Sequence, residues 1–304
     1  MDTSADNDRT GAEDRALLTL RLPDGRRLSY AEFGAPDGLP VLAVHGTPGS
    51  RYMFGLADPA ARERGLRIIA PDRPGYGRSD WRRNPSLLRA AEDFVALADK
   101  LGIGRLAVIG VSGGAPHAIA IASLIPDRVA LLALVSPIGP IAECRKQVRM
   151  SRVHRLIFTR MGRLPPLCAT FFWSLRKAVK WSPGLAYRIL QKRVTAGDRA
   201  TLGRAEVKAN LQQAIREGLK PGIKGALQDL RLFCSPWGLP LADIDVPAVI
   251  WQGSDDTIVP PNAAYHLAAQ LPHCRLDVIQ EAGHYWGFGN FALVLDTVNA
   301  ALKG

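Results

Sequence analysis

The stretch from Leu106 to Ile125 constrains the fold most, because none of its residues is Asp, Glu, Lys or Arg. A membrane-spanning helix needs about 20 apolar residues, so the length alone would fit a membrane span. However, the stretch also contains Gly110, the pair Gly113–Gly114 and Pro116. These residues favour a sharp turn over a continuous spanning helix. We therefore interpret the stretch as a buried strand, a tight turn and a buried helix, in which burial within protein accounts for the missing charges.

The rest of the chain alternates short apolar runs with amphipathic helical patterns. Leu87–Leu101 repeats apolar residues at spacings of three and four, as a helix with one buried face does. Pro40–Val44, Arg67–Ala70 and Val129–Val135 are short runs that are apolar at nearly every position, as strands buried on both faces are. This alternation predicts an α/β fold with a mostly parallel sheet between helices. The other predicted strands are Leu17–Leu22, Arg27–Phe33, Arg105–Val111, Ala248–Trp251 and Arg275–Ile279, and the other predicted helices are Ala115–Ile125, Asn262–Leu271 and Phe288–Leu302.

The predicted organisation has four parts. Residues 1–16 are polar and acidic, lack the features of a signal peptide, and are predicted to be a disordered tail of a cytoplasmic protein. Residues 17–137 and 238–304 form the two parts of the α/β core. Residues 138–237 break the alternation with mostly helical, basic sequence, and we expect them to form a lid outside the sheet.

The positive charge is concentrated in that inserted segment. The chain has a net charge of +11, and between Arg145 and Arg231 it contains 20 Lys/Arg but only 4 Asp/Glu. Three interpretations stay open: a solvated helical face, attraction of an anionic substrate, or weak peripheral contact with an anionic membrane. Pro165–Trp181 mixes aromatic and basic residues as interfacial helices do, although its aromatic residues could equally line a pocket roof. No nucleic-acid recognition motif accompanies the charge, so no nucleic-acid partner is expected.

The sequence Gly110-Val111-Ser112-Gly113-Gly114 is a G-x-S-x-G motif between a predicted strand and a predicted helix. Such a turn lifts the serine hydroxyl away from the sheet, and glycines two residues before and after the serine allow close approach of the backbone. The helix that follows directs free N–H groups toward the site. Ser112 is therefore the candidate nucleophile.

A serine hydroxyl needs a base within hydrogen-bond reach, and the base needs an orienting carboxylate. His284 is the candidate base, because it follows a strand at the carboxyl edge of the sheet, where open α/β sheets place their sites. His117, on the helix after Ser112, is instead interpreted as a half-buried structural histidine. Asp255 and Asp256 both follow the strand Ala248–Trp251, and we favour Asp256, which stands four residues before a proline.

Stabilisation of a tetrahedral intermediate requires two backbone N–H donors. Gly113 supplies one as the residue after the nucleophile. The second is expected from the loop HGTPGS, in which we assign the N–H of Thr47. His45 is expected to shape this loop rather than to act as the base.

These motifs together resemble the α/β-hydrolase superfamily. The resemblance covers roughly Leu17 to Ala301 outside the insertion, and depends on HGTPGSR, PDRPGYGRSD, GVSGGAPHA, GSDDTIVPP and AGHYWGF in that order. It implies an eight-stranded, mostly parallel sheet with a helical lid before the last two strands. The chain is similar to the branch with esterases, lactonases, C–C hydrolases and iminopeptidase-like enzymes. It departs from haloalkane dehalogenases and epoxide hydrolases, which carry Asp at the position of Ser112, and from iminopeptidases, which carry Trp at the position of Gly113.

The sequence therefore predicts a serine hydrolase that acts on a small-molecule carboxylic ester or thioester without a metal or an organic cofactor. Acyl transfer, C–C or lactone hydrolysis and iminopeptidase-like amide hydrolysis could use the same residues. A ligand receptor without turnover is the alternative from a different functional class, because a fold does not fix a function.

Overall fold

A computed structural model describes residues 17–143 and 165–304. Eight strands form one sheet in the order β1-β2-β4-β3-β5-β6-β7-β8. Strands β3 to β8 are parallel to one another, whereas β1 and β2 are added at one edge through antiparallel pairings, β1 with β2 and β2 with β4. The predicted eight-stranded, mostly parallel sheet is confirmed. The strands are β1 Leu18–Arg21, β2 Arg27–Gly34, β3 Leu39–Val44, β4 Leu66–Pro71, β5 Leu106–Val111, β6 Val129–Val135, β7 Ala248–Gly253 and β8 Cys274–Ile279.

Helices flank the sheet, and in the described part of the segment between β6 and β7 further helices run from Pro165 to Phe233. The predicted closing helix from Phe288 is wrong at its start, because Trp286–Gly289 forms a separate 3-10 turn. Gly287 in this turn is pressed against Val135, which leaves little room for a larger residue. The helices are α1 Asp58–Glu63, α2 Leu87–Lys100, α3 Ala115–Leu124, α4 Pro165–Trp181, α5 Pro183–Arg193, α6 Ala196–Gly203, α7 Ala205–Gly218, α8 Lys224–Phe233, α9 Pro261–Gln270 and α10 Phe291–Lys303.

The core lies in two layers, one on each face of the sheet. In β3, Leu42 belongs to the same buried cluster as Phe94 of α2. The preceding residue, Val41, belongs to a second cluster with Val294 of α10. Because successive side chains of a strand point to opposite faces, an almost continuous apolar run fills both layers.

The uncharged stretch from Leu106 to Ile125 contains β5, a short turn and α3. Every residue of β5 is buried, and so are residues 115–122 of α3. Within the part of the chain that the structure describes, no helix is long and apolar enough to cross a membrane. Burial between the other strands and helices therefore explains the absence of charges.

The helical insertion, which comprises helices α4 to α8, packs over the carboxyl ends of the strands. Helix α7 contacts the 3-10 turn Arg51–Ala57, and α6 contacts the turn Trp286–Gly289. Val207 and Leu211 of α7 complete the same apolar cluster as Phe54. The insertion therefore rests on the loops that follow β3 and β8. The predicted tail, residues 1–16, and residues 144–164 of the predicted lid lie outside the described residues.

Candidate active site

Ser112 lies directly after β5 in a sharp turn whose geometry depends on its glycine neighbours. The φ angle of Ser112 is 52°, a conformation that costs a residue with a Cβ about 1–3 kcal/mol. A Cβ added at Gly110 would lie 2.7 Å from the Cβ of Ala118, and one at Gly114 would overlap the carbonyl oxygen of Val44. The strained turn is thus wedged between β3 and α3, with the serine at its tip.

The ring of His284 links Ser112 to a carboxylate. Its Nε2 lies 3.0 Å from the Ser112 Oγ, and its Nδ1 lies 2.8 Å from Oδ2 of Asp256. His284 is only 7% exposed and Asp256 only 5%. These three residues come from the ends of β5, β7 and β8, so the parallel sheet brings together side chains that are 172 and 28 positions apart.

Asp256 has further partners that fix its orientation. Its Oδ1 accepts hydrogen bonds from the backbone N–H groups of Ile258 and Val259, at 2.8 and 2.9 Å. Its Oδ2, which faces His284, also accepts one from the side-chain amide of Gln252 at 3.2 Å. A carboxylate with this many donors is held in one rotamer and favours its charged form.

The neighbouring Asp255 points elsewhere. It is exposed, and its Oδ1 accepts a hydrogen bond from the Ser254 hydroxyl at 2.8 Å. The structure therefore places Asp256, and not Asp255, against the ring of His284.

The electrostatics of the pair favour a positive charge on the histidine. Burial lowers the pKa of His284, but the carboxylates of Asp256 and Asp198 outweigh burial and raise the pKa above its usual value. Burial raises the pKa of the Asp256 carboxyl, but the His284 ring and the backbone donors outweigh it and lower that pKa. A proton that arrives on His284 is consequently stabilised while Asp256 stays ionised.

Thr47, in the loop after β3, lies against Gly113 at the turn. A Cβ added at Gly113 would overlap the side chain of Thr47, and one at Gly46 would lie 3.3 Å from the Cβ of Ser112. The two residues from which backbone donors were expected therefore meet beside the Ser112 side chain.

The side chain of Thr47 belongs to a buried polar cluster that the sequence did not predict. Oδ2 of Asp229, on α8 of the insertion, accepts hydrogen bonds from the hydroxyls of Thr47 and Tyr76 at 2.5 Å each. The guanidinium of Arg73 lies 2.8 Å from the same carboxylate. Nε2 of His117 lies 3.0 Å from Arg73 and 3.6 Å from Asp229. The cluster ties the helical insertion to the loop that carries Thr47.

The charges in this cluster are fixed by their mutual contacts. Burial raises the pKa of the Asp229 carboxyl, but the Arg73 guanidinium, the His117 ring and the Thr47 hydroxyl together outweigh burial and lower the pKa below its usual value. Burial lowers the pKa of His117 and Arg73 lowers it further, whereas Asp229 opposes them. The pKa therefore falls below its usual value, and the ring is neutral. The expectation that His117 is half-buried is wrong, because α3 packs its ring fully inside, at 1% exposure.

His45 stabilises the loop after β3 that carries Thr47. Its Nε2 accepts a hydrogen bond from the backbone N–H of Arg73 at 3.1 Å, and its Nδ1 lies 2.8 Å from the carbonyl oxygen of Gly46. Burial lowers the pKa of His45 well below its usual value, so the ring is neutral. These contacts agree with the expectation that His45 shapes the loop.

A second carboxylate of the insertion, that of Asp198 on α6, fixes the backbone of the loop that carries His284. It accepts hydrogen bonds from the backbone N–H groups of His284, at 2.9 Å, and of Tyr285, at 2.7 Å. Asp198 is fully buried, and a Cβ on Gly283 would overlap its carboxylate. Asp198 and Asp229 are two of only four acidic residues between Arg145 and Arg231, and this rarity is the only signal that could have drawn attention to them.

Comparison with known proteins places this arrangement in a family. The α/β hydrolase fold family matches residues 40–290. The uncharacterized hydrolase YcgS of Bacillus subtilis (strain 168) is 28% identical over 88% of this chain and 92% of its own length. A proline iminopeptidase of Neisseria gonorrhoeae is 25% identical over 87% and 89% of the two chains. The structure of a thermophilic esterase from Thermogutta terrifontis superposes with a TM-score of 0.67 at 23% identity, and covers 94% of this chain and 98% of that one. The chain therefore belongs to the α/β-hydrolase superfamily.

Proposed function

We propose that this protein is a cofactor-free serine hydrolase that cleaves a small carboxylic ester or thioester. The observation that carries the proposal is the unbroken line of contacts from the Ser112 Oγ through both ring nitrogens of His284 to Asp256. Membership of a hydrolase superfamily and a fold shared with a thermophilic esterase support it.

In the first half of the reaction, Ser112 attacks the substrate carbonyl while His284 accepts the hydroxyl proton at Nε2. Asp256 holds the opposite ring nitrogen, fixes the tautomer and stabilises the imidazolium that forms. The raised pKa of His284 matches this role, because the ring gains its charge in the transition state. The same proton then passes to the leaving group, and an acyl-serine remains.

The negative charge that develops on the carbonyl oxygen is stabilised by the backbone N–H groups of Thr47 and Gly113. The bonds from the Thr47 hydroxyl to Asp229 and from Arg73 to Thr47 hold this loop before substrate arrives. Donors fixed in advance need no reorganisation during the reaction, and each contributes about 100- to 1000-fold to the rate. Water activated by His284 then releases the acid and restores Ser112.

The test is hydrolysis of p-nitrophenyl esters from acetate to palmitate by the parent protein, by Ser112→Ala and by Ser174→Ala. Ser174 is a matched control, because its hydroxyl is exposed on α4. We expect turnover by the parent and by Ser174→Ala, and a loss of about six orders of magnitude in kcat for Ser112→Ala. Ester hydrolysis by Ser112→Ala at the parent rate would contradict the proposal.

Two further measurements separate the alternatives. Labelling of Ser112 by a fluorophosphonate without ester turnover would redirect the search to lactone, C–C or amide substrates, or to a receptor. Ester products that appear when alcohols are added would indicate acyl transfer in place of hydrolysis.

A further inference from the structure

The outer face of helices α4 and α5 exposes an unusual amount of apolar surface. Ten large apolar side chains among the described residues are exposed, and six of them lie on these two adjacent helices. Trp181, at 72%, is the most exposed of the ten. Scattered exposed apolar residues are normal, whereas a concentration of them on one part of the surface indicates an interaction surface. The six residues, which we call the outer aromatic face, are Leu167, Phe171, Trp173, Trp181, Leu185 and Ile189.

Helix α4 is also apolar on its inner face. Cys168 and Phe172 pack there in a buried cluster with Leu219 and Leu230. A surface helix normally buries one apolar stripe and presents polar residues on the opposite side, so apolar side chains on the outer side as well call for a second apolar environment. The inner face has one within the insertion, whereas no described residue covers the outer aromatic face.

The charged residues on helices α4 and α5 themselves are all positive. From Pro165, where the described part of the insertion begins, to Gly197 the sequence contains six Lys or Arg and no Asp or Glu. Two of the lysines lie over exposed indole rings: Nζ of Lys177 is 3.9 Å from the ring centre of Trp173, and Nζ of Lys180 is 4.9 Å from that of Trp181. Aromatic rings with ammonium groups beside them match the boundary between acyl chains and anionic headgroups.

A basic cleft lies next to the outer aromatic face, between α4 and α7. Its volume is about 470 Å³, and four cations line it together with a single acid, Glu217. Glu217 is already paired with Lys220 at 3.1 Å. Lys180 lines the cleft and its Nζ also lies over the ring of Trp181 in the outer aromatic face, so the two surfaces adjoin each other. The four cations are Arg176, Lys180, Arg216 and Lys220.

We propose that the outer aromatic face and the adjoining cleft bind the surface of an anionic lipid membrane. The aromatic side chains enter the headgroup boundary, and the lysines and arginines contact lipid phosphates. A second copy of the chain is a poorer occupant, because a two-fold contact would place this predominantly cationic surface against itself. The proposal goes beyond the hydrolase function and does not depend on it.

The test is sedimentation of the full chain with vesicles of phosphatidylcholine alone and with vesicles that also contain about one-third phosphatidylglycerol. We expect at least tenfold tighter binding to the anionic vesicles, reduced by high salt, since each cation near the surface contributes about fivefold. Trp173→Gln/Trp181→Gln and Lys177→Gln/Lys180→Gln should each weaken binding about tenfold or more.

Matched controls separate this surface from general effects of charge and hydrophobicity. Leu293→Gln removes an exposed apolar residue from α10, and Lys100→Gln/Lys303→Gln removes two exposed lysines outside the insertion. Both should bind as the parent does, and thermal unfolding should show that all variants fold. Equal binding to both vesicle types, or equal loss in variants and controls, refutes the proposal. Dimerisation of the parent that Trp173→Gln/Trp181→Gln abolishes also refutes it and assigns the face to a second copy.

Discussion

Replacing Asp198 tests whether the helical insertion positions the histidine of the candidate active site. Asp198→Ala removes the carboxylate that accepts the backbone N–H groups of His284 and Tyr285. Asp198→Asn keeps the size of the side chain but removes its charge and turns an amide NH2 toward one of the two donors. Glu206→Ala is the matched control, because Glu206 is an exposed acid on the next helix of the same insertion.

The loss of stability follows from the two hydrogen bonds. A buried donor left without an acceptor costs about 1–3 kcal/mol, so two cost about 2–6 kcal/mol. Removing a buried carboxylate recovers part of this, because burial raises the pKa of Asp198 and so disfavours its charged form. We therefore expect Asp198→Ala to lower the free energy of unfolding by about 2–3 kcal/mol and Tm by about 4 °C.

The effect on catalysis is a shift in pH dependence. His284 must be neutral to accept the serine proton, so kcat/KM rises as the pH passes its pKa. The Asp198 carboxylate helps to raise that pKa. Removing the charge lowers it and moves the acid limb of the kcat/KM profile to lower pH. A raised histidine pKa also stabilises the fold at pH values below the unfolded pKa, and this contribution, which is lost as the pH rises through the folded pKa, should shrink in the variant.

The assay combines urea unfolding with kcat/KM for a p-nitrophenyl ester across the pH range. We expect Asp198→Asn to shift the acid limb and to lower the plateau about tenfold, because the ring is less well held. Glu206→Ala should change neither quantity. An Asp198→Asn protein that unfolds more readily but keeps the parent acid limb would assign Asp198 a purely structural role. Parental stability and activity in both Asp198 variants would refute the reasoning.

Three further predictions address the other buried contacts. Asp229→Asn leaves the guanidinium of Arg73 buried without its counterion and should lower the free energy of unfolding by about 3–5 kcal/mol in urea; a loss below about 1 kcal/mol would contradict this. Gly110→Ala should cost about 1–3 kcal/mol of stability in the same assay through overlap with α3, and an unchanged urea midpoint would show that the turn has room. Asp256→Asn should lower kcat about 10⁴-fold, whereas Asp255→Asn should leave ester hydrolysis near the parent rate, and equal losses would show that the exposed carboxylate also acts.

The sequence alone was sufficient for the succession of strands along the chain and for most of their bounds. The predicted run Val129–Val135 has the bounds of β6, and the periodic stretch Leu87–Leu101 matches α2 to within one residue. These signals are local, because burial on both faces of a sheet, or on one face of a helix, imposes its period directly on neighbouring residues. The signal from the glycines around Ser112 is equally local, because β3 and α3 approach this one turn too closely for a Cβ at Gly110 or Gly114.

Contacts between distant segments leave no comparable local pattern in the sequence. For Asp256 the sequence offered only a proline four residues later, and the path of the loop after β7 is what turns Asp256 toward His284 and Asp255 toward solvent. Asp198 and Asp229 lie 86 and 182 positions from partners that they hold, within a segment whose pattern indicates only a basic helical surface. Local sequence periodicity thus determined the sheet, the turn and the candidate nucleophile. The tertiary structure alone decided that Asp198 and Asp229 of the insertion reach the site, because a contact between side chains far apart in sequence leaves no periodic trace in either segment.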